Sequence, residues 1–243
     1  MTPAERWASV TARKQAIVLA ADVESLDAVR HLAALAAEVA PAVAALKIGA
    51  LLAMRYGLIA TVRSVADVSD IPIIYDHQKA ATDIPPMGRP FARACREAGV
   101  HAVIFFPLAG PRTLEGFVEG AREEGLVPIV GLAMSHPAYL NREGGYITDT
   151  APAAICEAAI AQGIRDFVLP GTKLDITRSF AQGQLAGMEA RLFMPGVGSQ
   201  GGTIRDAVAA AEPHAAFPIV GSAIYAAADQ RAALKSFVGQ VMS

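Results

Sequence analysis

Residues 16–22 read AIVLAAD, an apolar run closed by a carboxylate, and residues 25–39, SLDAVRHLAALAAEV, follow it with helical spacing. Continuous rather than alternating hydrophobicity suits a strand covered on both faces, the condition of a parallel sheet. Ser25 stands where an N-cap hydroxyl is wanted, and Leu and Val then recur on one helical face. The unit is strand followed by helix, and the fold depends on how often it recurs.

It recurs through the whole chain. The later runs are AALKIG (44–49), IPIIYD (71–76), HAVIFF (101–106), LVPIVGLA (126–133), DFVLP (166–170), RLFMPG (191–196) and FPIVG (217–221). Helix-length segments separate them. APAAICEAAIAQG (151–163) has Pro152 near its start and Gly163 past its end, and RPFARACREAG (89–99) stops at Gly99. Proline at a helix start and glycine just beyond its end are matched punctuation. Eight strand-then-helix units without a linker predict a closed α/β architecture, a (β/α)8 TIM barrel forming one domain over residues 1–243. Residues 3–12 predict an additional N-terminal helix that closes the barrel's bottom, with Trp7 packed against it.

Composition narrows the function classes. Hydrophobic residues make up 53% of the 243 positions and charged ones 18%, so a large core is available and disorder is not expected. The net charge is −2 and there is no basic stripe interleaved with aromatics, which argues against a nucleic-acid partner. Residues 1–15 lack the apolar segment of a signal peptide, and residues 31–54 are too interrupted by charge and proline to span a membrane. Cys95 and Cys156 read as separate buried thiols suited to a reducing cytosol, so a cytoplasmic protein is expected.

Barrels of this kind carry their chemistry at the C-terminal ends of the strands. Asp22, Lys47, Asp76 and Lys79, Ser135 and His136, PGVGSQGG (195–202) and GSAIY (221–225) all follow apolar runs. The segment IIYDHQKAATDIPPMG (73–88) is the most heavily charged of these ends. A buried lysine alone tends to lose its proton, because desolvation disfavours the ammonium, whereas flanking carboxylates hold it charged. The array Lys47, Asp76, Lys79 and Asp83 alternates in sign. It suits a reaction in which negative charge appears on a substrate carbon and a proton is then delivered there. It also fits a structural ion-pair network at a barrel rim.

These residues resemble the orotidine 5′-monophosphate decarboxylase family, over nearly the whole chain. LAADV (19–23) resembles the family's first strand, which implies that Asp22 meets ribose hydroxyls. LKIG (46–49) resembles the second, which implies that Lys47 belongs to a catalytic network. DHQKAATDIP (76–85) resembles the signature Asp-x-Lys-x-x-Asp. That implies catalytic Asp76, Lys79 as proton donor, and Asp83 reaching into the site of a dimer partner. MSHP (134–137) implies that Ser135 reads the pyrimidine edge. PGVGSQGG implies Pro195 and Gln200 at the nucleotide, with Gly201, Gly202, Gly221 and Ser222 cradling phosphate through backbone N–H groups.

Three departures stand out. The signature is one residue longer in each gap, so a bulge or turn at residues 77–78 is needed to bring Asp76 and Lys79 together. Ser222 replaces an arginine, which leaves the phosphate to backbone amides or to another cation, with Arg142 and Arg178 as candidates. Met87 stands where threonine or asparagine is usual, which leaves one ribose contact open.

The resemblance implies decarboxylation of orotidine 5′-monophosphate to uridine 5′-monophosphate, without metal or cofactor, in a homodimer. Two alternatives are a metal-dependent sugar-phosphate decarboxylase or aldolase on the same fold, and a non-catalytic nucleotide-binding barrel. His136 reads as a loop-stabilising residue, and His77 lacks companions for a metal site. His31, His101 and His214 read as surface groups. Tyr225 reads as strand–helix packing.

Overall fold

The computed structural model describes residues 3–78, 82–198 and 201–242. Helix α1 (Pro3–Thr11) precedes β1 (Ile17–Ala20), α2 (Leu26–Glu38), β2 (Val43–Gly49), α3 (Ala50–Tyr56), α4 (Leu58–Ala66) and β3 (Ile73–Asp76). Next come α5 (Gly88–Ala98), β4 (Ala102–Phe105), α6 (Pro111–Glu123), β5 (Val127–Gly131), α7 (Ala151–Ala161), β6 (Asp166–Val168) and α8 (Leu174–Gln182). The series ends with β7 (Arg191–Val197), α9 (Ile204–Ala211), β8 (Ala215–Val220), α10 (Ser222–Tyr225) and α11 (Gln230–Met242). All strands pair in parallel in chain order, and β8 pairs back onto β1, so the expected barrel is closed. Each strand falls on one of the apolar runs.

The continuous hydrophobicity has a geometric cause. Side chains alternate across a strand, so each strand feeds two different cores. Ile17, Leu19, Leu46, Ile48, Val103, Phe105, Leu192 and Met194 point outward and pack under the helices. Val18, Ala20, Ala45, Ile74, Ile104, Phe193, Phe217 and Ile219 point inward and fill the barrel. Small Ala20, Ala45 and Ala102 leave room for Phe106, Phe193 and Phe217, and each buried aromatic contributes about 2–3 kcal/mol relative to exposure.

Local signals set the helix boundaries. Ser25 caps α2, its hydroxyl accepting from Ala28 N at 3.2 Å, a contact worth about 1 kcal/mol. Gly99 closes α5 in the left-handed conformation at φ 90°, which a residue with a Cβ rarely adopts.

At the bottom, α1 presents Trp7 to the inward-facing rings. Trp7 is buried and stacks on Phe193 at 5.6 Å, and Phe193 stacks on Phe217 at 5.1 Å. Trp7 Nε1 donates to Asp166 Oδ1 at 3.4 Å. The first residues of β6 and β7, Asp166 and Arg191, are register partners. Arg191 grips both carboxylate oxygens, at 2.7 and 2.5 Å, and donates to Thr11 Oγ1 at 3.3 Å. Burial pushes the Asp166 carboxyl up, and the Arg191 guanidinium and the Trp7 N–H oppose it.

Two histidine readings are corrected. His214, in the turn between α9 and β8, is buried, with Nε2 2.9 Å from Ala181 O of α8. His101 is half-buried at the bottom of β4, where its Nδ1 accepts from Ile73 N at 3.2 Å. Burial, and then the nearby Arg6 and Arg96 charges, lower its pKa to about 4. Both residues stand next to strands, where turns fold inward to start the sheet, so their place in the chain gave no sign of burial. Among the described residues, no helix is long and apolar enough to cross a membrane.

Candidate active site

The inward rows of the first three strands end in charge. Two residues beyond Val18 and Ala20 the same face carries Asp22; beyond Ala45 it carries Lys47; beyond Ile74 it carries Asp76. Period-two geometry therefore delivers an ammonium and two carboxylates to one end of the barrel axis. Lys47 Nζ donates to Asp22 Oδ1 at 3.1 Å and Oδ2 at 3.3 Å, and lies 3.0 Å from Asp76 Oδ2. The Lys47 and Asp76 side chains are each 8% exposed and that of Asp22 is 47% exposed, so the array runs from the interior to the mouth.

Burial works to discharge Lys47, but attraction to Asp76 and then Asp22, with their hydrogen bonds, outweighs it and raises its pKa above the ordinary lysine value. The other oxygen, Asp76 Oδ1, is buried without a hydrogen-bond partner among the described residues. Gly49 makes the array possible. A Cβ there would come within 2.6 Å of Asp22 Oδ1.

The array borders a cavity of about 240 Å³. Of the sequence-derived candidates, Asp22, Lys47, Asp76, Ser135, Pro195, Gly221 and Ser222 line it. β3 ends at Asp76 and Gln78 lies in a turn, so the chain leaves strand geometry where the stretched signature requires it. Lys79 and Gln200 lie outside the described residues.

Asp83 does not line this cavity. It is exposed, with Oδ1 accepting from Ile84 N at 2.7 Å and its carbonyl from Thr113 Oγ1 at 3.1 Å. Gly201 and Gly202 are not in the cavity lining either. Gly198 N donates to Gly202 O at 2.8 Å and Gly201 N to Gly198 O at 3.2 Å, which folds this loop onto itself.

Neither candidate arginine approaches. Arg142 and Arg178 line a separate cleft between the loop after β5 and helix α8. There Arg178 pairs with Asp175 at 3.1 Å, and Arg142 lies 3.9 Å from Asp149. Chain direction decides this: Arg178 lies within helix α8 rather than in a loop, and the loop after β5 carries Arg142 to the same outer cleft.

The structure adds Gln78, Phe106, Met134 and Tyr225 to the lining. Tyr225 is thus a cavity residue as well as a packing one, contacting the outer core while facing the site from α10. Phe106 continues the inward row of Ala102 and Ile104, a signal the sequence carried. Its ring lies over Gly131, where a Cβ would come within 2.3 Å of it. His136 Nδ1 lies 2.8 Å from Pro137 O and its ring meets Tyr139 edge-on, consistent with a loop-stabilising role. His77 Nδ1 lies 2.8 Å from Tyr75 OH and its ring packs near Phe91. Among the described residues, no three His, Cys, Asp or Glu side chains converge as metal ligands would.

Comparison with known proteins bears on this arrangement. The family model described as "Orotidine 5′-phosphate decarboxylase / HUMPS family" matches residues 15–237. The chain is 31% identical over 229 residues to the orotidine 5′-phosphate decarboxylase of Methanosarcina barkeri, covering 94% of this chain and 96% of that one. The orotidine 5′-phosphate decarboxylase of Pyrococcus horikoshii OT3 superposes with a TM-score of 0.76 at 26% identity, covering 93% of this chain and 99% of that one. The Methanocaldococcus jannaschii orotidine 5′-monophosphate decarboxylase, solved with the inhibitor BMP, gives a TM-score of 0.81 over 94% of this chain and 99% of that one. At 21% identity this last likeness speaks for the fold.

Proposed function

This chain belongs to the orotidine 5′-phosphate decarboxylase / HUMPS family, and on that premise we propose that it converts orotidine 5′-phosphate to uridine 5′-phosphate and carbon dioxide. The observation that carries the reading is the buried Lys47 ammonium held between Asp22 and Asp76 on the wall of the cavity that Ser135 also lines. The bond from the pyrimidine C6 to its carboxylate breaks, its electron pair stays on C6, and a proton replaces the carbon dioxide. Lys79 supplies that proton and its charge stabilises the nascent carbanion. Asp76 holds the lysines in place beside the departing carboxylate, Asp22 takes the ribose hydroxyls, and Ser135 reads the pyrimidine edge.

At the far end, Pro195 and the backbone amides of Gly221 and Ser222 meet the phosphate half of the nucleotide. Gln200, Gly201 and Gly202 join them when residues 195–202, continuing toward Arg205, fold over it. Binding energy from the remote phosphate is then realised at the reacting carbon. No metal or cofactor enters this scheme. The exposed Asp83 serves a partner's site, which makes the working unit a homodimer with each chain acting as one domain, and its place is the cytoplasm.

The test is carbon dioxide release from carboxyl-labelled orotidine 5′-phosphate by the purified chain. Turnover is expected to persist in EDTA and to fall about a thousandfold or more in Lys79→Ala. A Lys79→Ala protein at near-wild-type rate removes the proton-donor role. Sensitivity to EDTA favours the sugar-phosphate alternative, and tight uridine 5′-phosphate binding without turnover favours the non-catalytic one.

A further inference from the structure

We infer that residues 170–173, which give no side chain to the cavity, form a bracket that sets the distance between the end of β7 and the loop after β5, with Thr172 the positioning residue for Ser135. The inference rests on the nucleotide reading of this cavity and says how its two halves are held in register.

The segment runs from the end of β6 to the start of α8. From β6 only Val168 reaches the cavity lining. On one side the bracket touches the end of β7, continuing the β6–β7 ladder past Leu169 N, which donates to Phe193 O at 3.0 Å. Gly171 N donates to Pro195 O at 2.8 Å, and a Cβ at Gly171 would lie 2.8 Å from Val197 Cγ2. Gly202 is equally close from the opposite direction, since a Cβ there would lie 2.7 Å from Gly171 O. On the other side the bracket touches the loop after β5. Thr172 Oγ1 donates to Ser135 O at 3.2 Å. Lys173 Nζ lies 2.6 Å from Glu143 Oε2, which also accepts from Tyr139 N at 3.1 Å. Below, Thr177 Oγ1 of α8 donates to Pro170 O at 2.9 Å and fixes the bracket itself.

The loop after β5 needs such a hold. Ala138 adopts φ 55°, a left-handed conformation that is unfavourable for a residue with a Cβ. Two contacts from the bracket fasten the loop on either side of that residue. Thr172 and Lys173 open onto the outer cleft rather than the mouth, so they act through Ser135 and not on the nucleotide. The two sides of the bracket are separable. Gly171 governs the end of β7 bearing Pro195, and Thr172 governs the loop bearing Ser135.

The experiment compares uridine 5′-phosphate with ribose 5-phosphate, which lacks the base. Dissociation constants are measured by calorimetry, with kcat and KM measured alongside. Thr172→Val is expected to weaken uridine 5′-phosphate binding and raise KM by about fivefold, with kcat within about twofold and ribose 5-phosphate affinity unchanged. Thr172→Ser is expected to restore the wild-type values, because it keeps the donor. Gly171→Ala is expected to weaken both ligands. Wild-type binding of uridine 5′-phosphate by Thr172→Val overturns the bracket, as does an equal loss for both ligands. If Thr172→Val does not fold, Lys173→Met carries the test, and its binding both ligands as wild type does is the overturning result. A wild-type chain that binds neither ligand sinks the nucleotide reading, and the bracket with it.

Discussion

The barrel holds a buried carboxylate–cation cluster at each end, and the two are built to different specifications. At the bottom, both Asp166 oxygens are taken by Arg191, Trp7 adds a third donor and Thr11 takes a further guanidinium hydrogen. At the mouth, Lys47 is shared between Asp22 and Asp76, and Asp76 Oδ1 is left without a partner among the described residues. The lower cluster is closed over by α1. The upper one faces a cavity of about 240 Å³. The same residue types therefore serve stability where every donor and acceptor is matched. They remain available for chemistry where the cluster faces a cavity.

The contrast is breakable, and the largest effect is expected at the mouth. Asp76→Asn keeps the shape and removes the charge that holds Lys47 in place. We expect kcat to fall about a thousandfold while urea unfolding shifts less than in the bottom cluster, because the half-exposed Asp22 still pairs with Lys47. A comparable loss of stability would make the upper cluster structural after all.

At the bottom the signs reverse. Asp166→Asn leaves the partly buried Arg191 guanidinium against a neutral partner and is expected to cost about 2 kcal/mol in urea unfolding, with activity per folded molecule within about twofold. A catalytic defect without a stability loss would join the two ends functionally and dissolve the contrast.

A finer probe is Gly49→Ala, whose Cβ would meet Asp22 Oδ1 at 2.6 Å. Asp22 is free to swing toward the mouth, so the fold is expected to survive with little change in melting temperature. Moving that carboxylate off Lys47 is expected to lower kcat/KM about tenfold.

The smallest effect concerns pH. His101 lies at the bottom, where burial, Arg6 and Arg96 bring its pKa from 6.5 to about 4. The folded state then binds fewer protons than the unfolded one between these values. Its contribution is present above pH 6.5, is lost as pH falls toward 4, and changes no further below that. After allowance for partial exposure, wild type should lose about 1–2 kcal/mol across this window relative to His101→Asn, whose amide oxygen can still accept from Ile73 N. Parallel stability–pH curves would show that His101 is protonated without penalty.

Much of the upper cluster is legible in the sequence. Asp22, Lys47 and Asp76 each sit two residues beyond a small or branched apolar residue of the same run, so alternation alone puts them on the inner face. Phe106 obeys the same rule, two residues beyond Ile104 on the inner face. The lower cluster was invisible, although Asp166 and Arg191 open two of the recognised strands. What joins them is the register of β6 on β7, which no local pattern encodes. Tyr225, Arg142 and Arg178 show the same boundary. Each sits in a loop or short helix whose direction is set by what it packs on.

By itself the sequence determined the alternation of strands and helices, the closure into eight units, the caps at Ser25 and Gly99, and the face on which three charges lie. These depend on periodicity and on residues a few positions apart, where backbone geometry leaves little choice. Only the tertiary structure decided which charges meet, that Asp83 and the two arginines stand outside the cavity, and that residues 170–173 touch both the end of β7 and the loop after β5. Those contacts join residues far apart in the chain, and their geometry is set by the barrel's register and the packing of every helix around it.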